Sequence, residues 1–290
     1  MAGNHIKHIF MILMENNNWS TITGSSTATY INGTLLPMSS YCTNYFNPPG
    51  NHPSEPNYVW LEAGTNTFVD HTFSTDNDPS QTNSTASTQH LSTLLTGKGL
   101  TWREYAEDAS GNGCPINSSG LYAVKHVPFL FFQDVAGNPP STSSATCTAN
   151  VKPFTQLATD LQAGTVADYN FISPNLCDDM HGASGCQSDV IHQGDQWLGQ
   201  TVPLIMNSSV YKDSAIFIVW DEGAGSVSDG PIGMIAVSPF AKGGGYKAPA
   251  HYDHSSTVRT VEEVFGLMPL LANATSATSL SDLFKTGMYP

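Results

Sequence analysis

Charge is scarce in this chain, and positive charge scarcest. Of its 290 residues 12% are charged, with 10 Lys and Arg against 24 Asp and Glu, for a formal net charge of −14. A duplex nucleic acid needs a basic face to displace its counterions, so nucleic acid is excluded as a partner. Simple electrostatic docking onto anionic lipid goes with it. Long apolar runs are also missing: none approaches the roughly 20 residues that cross a bilayer, which leaves no integral membrane segment. None of the five cysteines forms a Cys-x-x-Cys pair, and this excludes a zinc ribbon. No Gly-x-Ser-x-Gly elbow is present, which counts against an α/β-hydrolase triad. Nothing in the sequence implies a protein partner.

With 40% hydrophobic residues, the chain can bury a large core, and one α/β domain of this size is ordinary. Cys114 and Cys147 bracket a Pro/Gly-rich excursion, and Cys177 and Cys186 a short Asp/His/Gly loop. We expect disulfides with those pairings and Cys42 free, hence an oxidising compartment, secreted or periplasmic. The chain opens almost at once on a strand pattern without a signal peptide, so such a protein is read here without its leader.

Two hydrophobic runs stop abruptly on acidic or amide side chains. Ile9 to Met14 runs into Glu15-Asn16, and Ala215 to Trp220 runs into Asp221-Glu222-Gly223. Short runs of this kind read as strands buried on both faces, as in parallel sheets. In such sheets chemistry sits just beyond the carboxyl ends of the strands. Carboxylates gathered there repel unless a cation lies among them, and hard oxygen ligands suit a divalent metal. The plainer alternative is that each acidic pair caps a neighbouring loop or helix.

Between these runs, helices are predicted from Ser87 or Thr88 to Gly97, over 154–162, over 189–206 and over 255–265. The last has Ser255 or Ser256 as N-cap. Strands are predicted over 99–106, 167–172 and 232–237. Residues 65–87 read as a long polar loop, and about 110–153 as an irregular insertion within a single domain spanning 1–290. The aromatics Trp19, Tyr58, Trp60, Phe129, Phe131 and Phe132 read as core sooner than as a lipid pocket.

Ser54 lies in a tight Pro-Ser-Glu-Pro-Asn turn and is the candidate nucleophile, activated by a metal because a free serine hydroxyl is too weak an acid near neutral pH. Read alone, it is more simply a turn residue. His5, His8, His52, His71 and His90 read as solvated. His181 and His254 stand among carboxylates at strand ends. Lys125-His126 could bind phosphate oxygens as point charge plus donor, or His126 could be a structural contact beside Pro128.

Taken in order, Met14-Glu15-Asn16, Ser54-Glu55-Pro56-Asn57-Tyr58, Ser173-Pro174-Asn175 with Asp178-Asp179-Met180-His181, Trp220-Asp221-Glu222-Gly223 and His254 to Glu262 resemble the phosphoesterase family of bacterial acid phosphatases and phospholipases C. That resemblance implies a doubly wound, mostly parallel sheet between helices, as in the alkaline-phosphatase-like superfamily. It implies Glu15, Asn16, Ser54, Asp221 and Glu222 as ligands of one divalent metal, with a second site admitted. Oxygen ligands admit Ca, Mg or Mn, and nearby histidines admit Zn or Fe. It implies Ser54 as the nucleophile and His126, Asp179, His181 and His254 around the phosphoryl group; Lys125 would join them as a phosphate-binding charge, and His181 or His254 would serve as the catalytic acid and base. The expected activity is a metal-dependent phosphomonoesterase working through a phosphoserine, on a small phosphate ester that extends to a phospholipid. The rivals are a phospholipase C-type diesterase and a secreted metal-binding module without catalysis. A sulfatase is disfavoured, since no Arg follows Pro56 at that family's spacing.

Overall fold

A computed structural model describes residues 5–225 and 230–290. Its strands are β1 (His8–Met14), β2 (Ser40–Cys42), β3 (Tyr45–Phe46), β4 (Trp102–Ala106), β5 (Val151–Pro153), β6 (Tyr169–Ser173), β7 (Ser214–Trp220), β8 (Met234–Val237), β9 (Tyr246–Ala248) and β10 (Tyr252–Asp253). Eight of them form one sheet in the order β5-β4-β6-β1-β7-β8-β2-β9. Pairing is parallel from β5 through β7, and β8 is antiparallel to both its neighbours. Helices cover the sheet, so β1 is fully buried from Ile9 to Met14 and β7 along its whole length. This is the mostly parallel α/β sheet expected from the two apolar runs. Met14 pairs with Trp220, and the Asp221 amide donates to the Met14 carbonyl at 2.9 Å. Glu15 and Asp221 therefore leave the sheet side by side.

Ser54 departs from expectation: it is the first residue of a helix, Ser54–Ala63, not part of a turn. Proline is tolerated in a first turn because the amide it lacks has no helical partner there, so Pro56 does not stop this helix. Gly64 ends it in the left-handed region at φ 70°, where a Cβ would approach the Leu271 carbonyl to 3.1 Å. The helix over 155–163 and the long helix Val190–Met206 fall where the spacing predicted them. The last helix, His254–Phe265, is capped by Asp253 and not by Ser255 or Ser256. Asp253 accepts the Ser256 amide at 3.1 Å, and Ser256 Oγ accepts the Asp253 amide at 3.2 Å, a reciprocal capping box.

Residues 110–153 hold short helical turns and the edge strand β5. Their apolar centre is built into the core: Val127, Phe129, Leu130, Phe131 and Phe132 are fully buried. Tyr58 is core as well, whereas half-buried Trp60 donates its indole N–H to Ser255 at 2.9 Å. Disulfides join Cys114 to Cys147 and Cys177 to Cys186, and Cys42 is a buried free thiol, as the cysteine spacing suggested. Among the described residues no helix is long and apolar enough to cross a membrane.

His90 is a second correction, because it is wholly buried instead of solvated. Its Nδ1 lies 3.0 Å from Glu62 Oε1 and its Nε2 3.1 Å from Asp134 Oδ1, tying the Ser54 helix to the helix Leu91–Gly97. Its extended backbone, φ −153°, delays that helix to Leu91. Burial works against its proton, but Asp134 and Glu62 outweigh burial and raise its pKa. Removing one member of such a buried set strands the other charges. We therefore expect His90→Gln to cost about 3–5 kcal/mol in urea unfolding. A loss below about 1 kcal/mol, the scale of an exposed pair, would contradict this reading.

Candidate active site

The site lies where β1, β6 and β7 end and the Ser54 helix begins. Asn16 takes a left-handed backbone, φ 36°, which asparagine tolerates better than most residues. Its amide donates to Asp221 Oδ1 at 3.0 Å, joining the two strand ends. Glu15 donates its own amide to the Asp179 carbonyl at 2.8 Å, which brings in the loop after β6. Ser54 Oγ, at the helix N-terminus, donates to Glu15 Oε2 at 3.0 Å. The dipole at such a terminus favours an anion. Three or four residues along the same helix face, Asn57 and Tyr58 also reach the site.

Burial raises the pKa of Glu15 against the pull of Lys125, and raises those of Asp179 and Asp221 well above the usual carboxylate range with the charge of Glu15 adding to it. Carboxylates so placed need protons or a cation. With its side-chain nitrogen turned toward them, Asn16 donates to Glu15 Oε2 at 2.8 Å and to Asp221 Oδ1 at 3.2 Å, and so bridges the two carboxylates. Glu15, Asn16, Ser54 and Asp221 are thus brought together.

Glu222 stands to one side. Its Oε2 accepts from Asn57 Nδ2 at 2.9 Å and lies 2.7 Å from His52 Nδ1, so His52 is engaged here and not solvated. Burial pushes the Glu222 carboxyl up to about 7 even with His52 beside it.

His126, expected at the phosphoryl group, faces two carboxylates. Its Nε2 is 3.2 Å from Glu15 Oε1 and its Nδ1 3.5 Å from Asp179 Oδ2. Neither contact is aligned as a hydrogen bond, and all four atoms are buried without a hydrogen-bond partner. Ligand atoms of Glu15, His126 and Asp179 lie within 4.8 Å of one another, an arrangement that fits a metal ion. Two ligands each about 2.1 Å from one ion stand roughly 3–3.5 Å apart, matching the Glu15–His126 spacing. Tyr58 stacks on His126 with centroids 4.7 Å apart and planes 6° apart, and burial holds the imidazole neutral. Lys125 bonds to Asp76 at 2.5 Å while the charges of Glu15 and Asp221 act on it.

The two histidines expected to be catalytic differ. His254 is fully buried: Nε2 lies 2.6 Å from the Asp221 carbonyl, so it must be the protonated nitrogen, and Nδ1 is 3.0 Å from Tyr45 Oη. Burial lowers its pKa to about 4. With Nε2–H on the Asp221 carbonyl and Nδ1 at Tyr45 Oη, it braces the Asp221 backbone in this geometry. His181 is exposed, with Nδ1 2.9 Å from the Gly182 carbonyl and its amide bonded to Asp179 Oδ1 at 2.7 Å. The Gly182 contact engages Nδ1 and not Nε2. Sequence reasoning missed His52, Asn57, Tyr45 and Asp76. Only Asn57 carried a signal, three residues beyond Ser54.

Residues 38–268 match the model of the Phosphoesterase family. The chain is 30% identical over 277 residues to a phosphatidylinositol-3-phosphatase of Mycobacterium tuberculosis, covering 96% of this chain and 82% of the relative. It is 26% identical over 302 residues to a probable acid phosphatase of Kluyveromyces lactis, covering 97% of this chain and 66% of the relative. Its fold matches a solved alkaline phosphatase superfamily protein from Vibrio parahaemolyticus with a TM-score of 0.59 at 11% identity, over 97% of this chain and 72% of the other. The chain therefore belongs to the Phosphoesterase family, carries the alkaline-phosphatase-like fold, and is a hydrolase acting on phosphoric ester bonds.

Proposed function

We propose that this hydrolase is a metal-dependent phosphomonoesterase of the acid phosphatase type that passes its phosphoryl group through Ser54. The observation that carries the reading is the Ser54 hydroxyl, 3.0 Å from Glu15 Oε2 at a helix N-terminus, facing buried carboxylates that want a cation. Glu15, Asn16, Ser54 and Asp221 would hold the metal, with Glu222 fixed beside them by His52 and Asn57. When bound, a divalent ion polarises a phosphoryl oxygen and favours the serine alkoxide.

The chain's own groups do the rest. Ser54 gives up its proton towards Glu15 and its Oγ attacks phosphorus in line, while the bond from phosphorus to the leaving oxygen breaks. His181 Nε2 supplies the proton that the departing alkoxide takes up. In the second half the same nitrogen accepts a proton from water as water attacks the phosphoserine; the phosphorus–Oγ bond breaks, and Ser54 Oγ takes back the proton held at Glu15 as inorganic phosphate leaves. Lys125 offsets charge on the phosphoryl oxygens.

The relatives' names, an acid phosphatase and a lipid monoester phosphatase, support a monoester. The substrate is then a small phosphate ester, lipid-borne or free. The disulfides support a secreted or periplasmic site of action. The mixed donor set leaves the ion among Ca, Mg, Mn, Zn and Fe. With p-nitrophenyl phosphate, its bis-ester and phosphatidylcholine at matched concentration, we expect turnover of the monoester alone. Comparable turnover of phosphatidylcholine would replace this reading with the phospholipase C-type diesterase.

A further inference from the structure

The loop over 65–87 reaches the site through Asp76, which nothing in the sequence marked out. Its carboxylate does two things at once. Oδ1 accepts the amide of Glu55, the residue after Ser54, at 3.0 Å, and Oδ2 takes the Lys125 ammonium at 2.5 Å. The neighbouring contact runs the other way: Glu55 Oε2 accepts the Asn77 amide at 2.8 Å, and Asn83 Nδ2 lies 3.3 Å from each Glu55 oxygen. This reciprocal clamp fixes Asp76 against the first turn of the Ser54 helix. On its outer side Asp76 and Lys125 help line a cavity of about 250 Å³ with Asn77, Asp78, Ser118 and Tyr122. The ion pair therefore stands at the rim of this cavity, partly open to solvent.

Lys125 has more than one partner to choose from. Asp76 is its hydrogen-bonded one, but Glu15 and Asp221 also attract it. A lysine ammonium is a compact charge on a long flexible stem. Released from Asp76, it would swing toward the buried carboxylates and stand where the cation belongs. We propose that Asp76 is a positioning residue that tethers Lys125 at the rim, aimed at the phosphoryl group and kept off Glu15 and Asp221. This rests on the metal and Ser54 reading above.

Coulomb's law alone gives the opposite sign for the anion. Removing a carboxylate from the rim should help an incoming phosphate, whereas loss of the tether should hinder it. The test uses the full chain loaded with Mn²⁺, with retained Mn²⁺ measured against a chelator series and inorganic phosphate measured as a competitive inhibitor. Asp76→Asn keeps an oxygen for the Glu55 amide but loses the ion pair. It should weaken Mn²⁺ retention by about 10–100-fold, the usual range for groups that orient metal ligands, and weaken phosphate inhibition as well. Lys125→Met should retain Mn²⁺ at least as tightly as wild type, because the competing cation has gone. Adding Asp76→Asn to Lys125→Met should then change retention little. Tighter phosphate inhibition in Asp76→Asn would overturn the proposal. So would unchanged Mn²⁺ retention, looser retention in Lys125→Met, or an Asp76→Asn effect equally large in both backgrounds. These readouts concern metal and anion binding, so they fail separately from a Ser54 variant that keeps its turnover.

Discussion

Ser54→Ala should lose p-nitrophenyl phosphate turnover by about 10³-fold or more, because removing a nucleophile removes the chemical path and leaves only binding. The fold should survive. Ser54 sits in the first helical turn, where alanine is a good helix former, and among the described residues its hydroxyl bonds to Glu15 alone. Unfolding temperature and secondary-structure spectra should therefore match wild type while activity vanishes. Retention of more than about a tenth of the activity would refute the role of Ser54, since a nucleophile's loss costs far more than that.

Metal removal should have the other large effect, and its sign depends on pH. Chelation should abolish turnover and leave Glu15, Asp179, Asp221 and Glu222 crowded, each with its pKa raised by burial. Nearby, Glu55 is pushed up to about 8 by burial as well. A carboxyl whose folded pKa is raised binds its proton more tightly in the native state. Its contribution is then fully present below the unfolded value near 4.5 and is lost as pH rises through about 7–8. The chelated protein should thus melt at a higher temperature at pH 5 than at pH 8. Restoring a divalent ion should raise the melting temperature more at pH 8, where the carboxylates are ionised. A chelated protein that is more stable at pH 8 than at pH 5 would show that these carboxylates are not the crowded set described here.

Much of this was legible in the sequence because both-face burial writes itself as an unbroken apolar run. Ile9 to Met14 and Ala215 to Trp220 announced the central strands, and the polar residues after them marked the edge where the candidate site lies. Local chemistry misled where two proline-rich readings competed: Pro53-Ser54-Glu55-Pro56 looks like a turn, yet a proline in a helix's first turn costs little. Partners distant in sequence were not legible at all. Asn57 meets Glu222 across 165 positions, and His52, His90 and Asp76 take their roles from such distant partners. A histidine in a polar stretch looks solvated until the fold presents it with a carboxylate. His254 shows the converse: its place among carboxylates suggested proton transfer, and the fold spends both nitrogens on Tyr45 and the Asp221 backbone.

The measurement that bears most directly on this account is an acid-quenched reaction of the metal-loaded enzyme with a phosphomonoester, followed by peptide mass mapping. One phosphoryl group should appear on the peptide that contains Ser54, only with a divalent ion present, and not in Ser54→Ala. A phosphoryl group mapped instead to His126, His181 or His254, or to Ser54 equally in chelated protein, would contradict it.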